Sequence, residues 1–109
     1  MEEEQSIPFC RIHEAALGRL GSVIRGNPID EALAIERRRR GKDVVVVGEE
    51  LKTNRRLALR IEAAAGPPIR HEPHTVRAGF DALPHYQQKT PPPEGHTFYE
   101  TLNRRSRPS

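Results

Sequence analysis

The chain has 109 residues, enough for one ordinary domain, and with 35% hydrophobic residues, no Trp, three Phe and two Tyr its core must rest on Ile, Leu, Val and Ala. A single Cys excludes an internal disulfide and a multi-cysteine zinc site, no run approaches the ~18 apolar residues of a membrane span, and the acidic start MEEEQSIPFC lacks the basic lead of a secretory signal. The net charge of +3 is uneven: residues 1–50 hold eight Lys/Arg against ten Asp/Glu and residues 51–109 hold ten against five, so the second half suits a polyanion such as RNA or DNA, although a pI near 9.5 also serves solubility.

Residues 1–10 read as a flexible acidic lead. Ile12, Ala16, Leu20, Val23 and Ile24 then recur at helical spacing, which predicts a first helix through HEAALGRLGSVIR, weakened by Gly18 and Gly21. GNPIDEALAIERRRRG carries fuller signals for a second. Asn27 is placed to cap it and Pro28 suits the first helical position. Asp30 and Glu31 favour the positive end of the dipole, Arg37 to Arg40 favour the negative end, and Gly41 stops it. The four arginines therefore have a structural reading as a last helical turn beside a nucleic-acid one. KDVVVVGEE reads as a central strand over 43–47, buried on both faces. The stretch 51–65 follows as a long helix, with Leu57, Ala58, Ile61, Ala64 and Ala65 on its apolar stripe and Gly66, Pro67 and Pro68 ending it; Lys52, Arg55, Arg56 and Arg60 lie off the stripe as a basic surface. Eight of the ten prolines fall in residues 67–109, where IRHE and HTFYETL alternate as strands, FDALPHYQQKTPPPEG reads as turn and extended chain, and 104–109 read as a flexible tail. The predicted fold is α/β (α+β). Helices come first, then the central strand and long helix, then short strands and ordered loops completing one small sheet in a single domain over 11–103, with the segment after Pro67 folded over one end.

Glycine-rich phosphate loops, paired cysteines and a GxSxG elbow are absent, so the chemistry available is that of histidine. His74, His85 and His96 stand eleven residues apart with Arg77, Tyr86 and Tyr99 among them. Two imidazoles can serve as base and acid in one turnover at neutral pH, removing a proton from an RNA 2′-hydroxyl and returning one to the departing 5′-oxygen, without a metal or other cofactor. His85, fixed by the preceding proline, is the first choice, with His74 or His96 as its complement. Arg77, or the surface of Lys52, Arg55 and Arg56, is placed to hold phosphate, and Tyr86 and Tyr99 to stack on bases. The histidines lack the HExxH spacing of a helical metal site, and an ordinary loop histidine is the plain alternative for any one of them.

The succession DVVVVG, NRRLALRIEAAAG, PHTVRAG, LPHYQ and PPEGHTFYE, over about residues 27–100, resembles the C-terminal toxin domains of bacterial polymorphic toxins of the Rhs and contact-dependent-inhibition type. The resemblance implies a ribonuclease with His74, His85 and His96 as its functional set. It also implies delivery as the tip of a larger secreted protein, action in the target-cell cytoplasm and neutralisation by a cognate immunity protein. A metal-dependent nuclease, a toxin acting on a small nucleotide, and a non-enzymatic interaction or immunity module with a Pro-rich binding surface remain open readings.

Overall fold

A computed structural model describes residues 10–72 and 82–108 of the chain. The organising element is the valine run, which forms strand β3 (Val44–Gly48) with every residue buried. It sits in the middle of a seven-stranded mixed sheet. On one side of β3 lie β1 (Cys10–Leu17), β2 (Val23–Ile29) and β7 (Arg107–Pro108); on the other lie β6 (Thr97–Tyr99), β5 (His85–Gln88) and β4 (Pro68–His71). The β3–β6 and β2–β7 pairs are parallel and the rest antiparallel. Helices α1 (Glu31–Arg39) and α2 (Leu51–Ala65) complete an α+β domain.

Because successive strand residues point to opposite faces, the valines divide between two cores. Val44 and Val46 join Ile12, Ala34, Ala58, Ile61, Tyr86 and Tyr99 beneath the helices. Val45 and Val47 join Val23, Leu83 and Phe98 on the face without helices. A run with no polar alternation is what two covered faces require.

The long helix falls on the predicted 51–65. Its buried side includes Asn54 and Glu62 beside Ala58 and Ile61, whereas Ala64 is exposed. The first predicted helix is instead the β1–β2 hairpin, joined by a short turn of 3₁₀ helix at Arg19–Gly21. A spacing of four keeps residues on one side of a strand as well as of a helix, so the pattern of Ile12, Ala16, Leu20 and Ile24 fits both. Pairing of β1 with β2 and β3 decides for the strand. The next helix starts later than predicted. Asn27 and Pro28 belong to β2, where Pro28 pairs with His13, and Asp30 is the cap, accepting the Leu33 amide at 2.8 Å.

After Pro67 the described residues complete the sheet with short strands, as expected; residues 73–81 of the segment expected over one end lie outside the described residues. His85–Gln88, expected as turn and extended chain, is strand β5, paired with both β4 and β6. The end of the chain, expected as a flexible tail from residue 104, is held through residue 108. The buried Glu100 carboxylate accepts from the Ser106 amide at 2.9 Å and from Arg105 Nη1 at 3.0 Å, and β7 adds to β2. Of the lead expected over residues 1–10, residues 1–9 lie outside the described residues, and Cys10 instead opens β1, paired with Gly48 of β3.

Candidate active site

Strand alternation puts Tyr86, Gln88, Thr97 and Tyr99 on the helix side and His85, Gln87, His96 and Phe98 on the other. In register with His85, the neighbouring strand β4 adds His71. The three imidazoles therefore form a row. His71 and His85 stack with centroids 5.4 Å apart, and His85 meets His96 edge-on at 4.7 Å. Phe98 packs against both His85 and His96, at 5.4 and 5.0 Å. They line a cleft of about 340 Å³, closed on its other sides by Leu17, Glu72, Leu83 and Gln87.

His96 is the best-positioned side chain of the row. Its Nδ1 lies 3.1 Å from Asp43 Oδ1, and the same oxygen accepts the His96 backbone amide at 2.8 Å. A carboxylate can only accept from this ring, so Nδ1 carries the proton and Nε2 presents its lone pair. The side chain is 30% exposed, leaving Nε2 within reach of a substrate. The preceding residue also matters. Gly95 has φ +96°, and a Cβ there would come within 2.6 Å of Arg38 Nη1 and 2.9 Å of the Gly41 carbonyl, so only glycine allows the close approach that delivers His96 to Asp43.

His85 is differently placed. Its Nε2 lies 2.9 Å from Gln87 Oε1, and Nδ1 is buried without a hydrogen-bond partner among the described residues. Burial first, and then neighbouring His96, lowers its pKa from 6.5 to about 4, with the Gln87 contact opposing. At neutral pH this imidazole is uncharged and cannot act as the acid. Unfolded His85 takes up a proton near pH 6.5 and folded His85 only near 4, so its contribution is intact above 6.5 and is lost as pH falls from 6.5 to 4. That loss is on the order of 2 kcal/mol after discounting for partial exposure. Urea unfolding of His85→Gln should accordingly show a flatter pH dependence than the wild type across this window, and parallel curves would refute the burial account.

The other predicted site residues do not gather here. His74 and Arg77 lie outside the described residues. Tyr86 and Tyr99, expected to stack on bases, are 7% and 1% exposed and pack together in the core beneath α2 with centroids 5.7 Å apart. Lys52 and Arg56 are exposed on α2, across the sheet from the cleft. Arg55 turns toward the Tyr99 hydroxyl, yet neither Arg55 Nε nor Tyr99 OH reaches a hydrogen-bond partner among the described residues. Arg60 forks onto Glu31 of α1 at 2.7 Å through both contacts, which holds the Glu31 carboxyl below its usual range. The tetra-arginine run takes its structural reading, with Arg38 wholly buried.

Asp43 and His71 were missed by sequence reasoning. Asp43 is 53 residues from His96 and carries no local signal beyond its place before a buried strand. His71 becomes informative only once PIRH and HYQQ are known to pair. Among the described residues, no three or more His, Cys, Asp and Glu side chains converge to hold a metal ion, and no helix is long and apolar enough to cross a membrane. Compared with known proteins, the chain gives no significant match to a family model, to a curated protein or to a solved structure.

Proposed function

We propose that the histidine cleft cleaves RNA by proton transfer, with His96 as the base. The observation that carries this reading is the Asp43–His96 pair, which fixes one ring nitrogen and leaves the other to accept a proton. His96 Nε2 takes the proton of the 2′-hydroxyl, the 2′-oxygen attacks phosphorus, the bond to the 5′-oxygen breaks, and His71, at the exposed end of the row, serves as the acid that gives a proton to the leaving oxygen. His85, uncharged between them, spaces the two rings. The role of the substrate's own 2′-hydroxyl sets the product: a 2′,3′-cyclic phosphate. The toxin setting, delivery within a larger protein and neutralisation by an immunity protein, rests on the sequence resemblance.

One observation favours a second reading. No Lys or Arg lines the cleft among the described residues, and its volume of about 340 Å³ fits one nucleoside better than a strand. A small nucleotide is then the rival substrate. Incubating the purified chain with total RNA, plasmid DNA and a nucleotide mixture, each with and without EDTA, separates these cases. RNA fragments ending in 2′,3′-cyclic phosphate in the presence of EDTA are expected. Products with 3′-hydroxyl ends, or loss of activity in EDTA, would transfer the site to metal-dependent cleavage; consumption of nucleotides alone would establish the rival.

A further inference from the structure

Behind the cleft, on the helix side of the same two strands, lies a buried ionic cluster. Glu62 and Arg38 have no exposed side-chain surface and pair at 2.8 Å and 3.0 Å through both carboxylate oxygens. Glu62 Oε1 also accepts the Thr97 hydroxyl at 2.8 Å, and Oε2 accepts the Gln88 amide. Arg38 Nη1 donates to the carbonyls of Lys42 at 3.1 Å and Glu94 at 2.8 Å. Gln88 belongs to β5, three residues after His85, and Thr97 opens β6 directly after His96.

The backbone ladder between β5 and β6 has only two register pairs, His85 with Phe98 and Tyr86 with Thr97. Beyond Tyr86 no backbone pairing ties the strands, and there the Glu62 carboxylate takes over, bonded to Gln88 on one side and Thr97 on the other. Buried ion pairs seldom add stability over well-packed apolar side chains, and their best-attested use is to fix register. We propose that Glu62 is a positioning residue of the histidine cleft, setting the spacing of His85 and His96 from the opposite face of the sheet by holding Gln88 and Thr97. The kinetic half of this inference rests on the ribonuclease reading; the spacing itself does not.

Thr97→Val removes the hydroxyl at nearly constant volume while leaving the Arg38–Glu62 pair in place, and Thr97→Ser retains the hydroxyl. In the folded protein, NMR titration should show the His85 midpoint rising from about 4 toward 6.5 in Thr97→Val, because a loosened strand pair opens the ring to water, and returning in Thr97→Ser. In RNA cleavage, kcat should fall about tenfold in Thr97→Val with KM changed less than about twofold, as expected when bound substrate meets misplaced groups. Gln88→Met, which removes the other donor, should move both readouts in the same direction and serves if Thr97→Val does not fold. An unmoved His85 midpoint in both folded variants overturns the proposal, as does a Thr97→Ser variant no better than Thr97→Val. If the wild type leaves RNA intact, the ribonuclease reading fails and the His85 midpoint alone decides this one.

Discussion

His96→Ala should lower RNA cleavage by at least the ~10²-fold that accompanies loss of a general base, with the fold retained. The side chain lines the cleft, is 30% exposed and belongs to neither core cluster, and its only hydrogen-bonded side-chain contact among the described residues is Asp43, so truncation removes its ring contacts with His85 and Phe98 without opening either core. Asp43→Asn probes the same proton by a different route. Asparagine offers the ring an N–H as readily as a carbonyl, which permits the tautomer with its proton on Nε2, and that tautomer cannot accept from a 2′-hydroxyl. Asp43→Asn should therefore cost ~10²-fold or more in kcat while KM changes little. His85→Ala should cost less than either, because an imidazole with a pKa of about 4 holds its neighbours apart without carrying the proton. Full activity in His96→Ala, or a larger loss in His85→Ala than in His96→Ala, would return the base to His85 and remove the Asp43 pair from the mechanism.

The same contrast shows where local sequence is informative. Helix α2 was legible because its signals are local: an apolar stripe, then Gly66 and two prolines within one segment. β3 was legible because four valines permit little else. The β1–β2 hairpin was not, since a four-residue apolar spacing satisfies helix and strand alike and only the long-range partner β3 decides between them. The site divides along the same line. His85 and His96 stood out as polar, titratable residues in a segment without helical periodicity, and they do meet. Tyr86 and Tyr99 alternate with them along the same strands, so the period that puts the histidines in the cleft sends the tyrosines into the core. Reading these four as one surface missed that alternation: His85 and Tyr86 fell in a segment expected as turn and extended chain, and for His96 and Tyr99 the two faces of the expected strand HTFYETL were not separated. The basic residues of α2 suffered the same misplacement: Lys52 and Arg56 are solvent-facing as expected, but the sheet stands between them and the cleft.

Breaking the Arg38–Glu62 pair should cost the domain more stability than any single substitution in the cleft. Both side chains are completely buried, and the guanidinium has all its contacts within the protein: the Glu62 carboxylate and two loop carbonyls. Removing one partner strands the other. Arg38→Met leaves a buried carboxylate supported only by Thr97 and Gln88, and Glu62→Leu leaves a buried guanidinium with two carbonyls. Each should cost about 3–5 kcal/mol, a large share of the ~5–15 kcal/mol by which a domain of this size is held folded. The double variant Arg38→Met with Glu62→Leu removes both charges and fills the space with apolar atoms, so it should be more stable than either single variant and fall within about 2 kcal/mol of the wild type, the remainder reflecting the polar groups of Thr97, Gln88 and the Glu94 carbonyl left without partners. Urea unfolding of the three variants measures this directly. Losses that simply add in the double variant would mean that the two residues act independently and that the ion pair is not what joins α1, α2 and the strands of the cleft. A double variant that is stable yet inactive would separate the two contributions of the cluster, its apolar replacement holding the domain together while β5 and β6 lose the bridge that spaces His85 from His96.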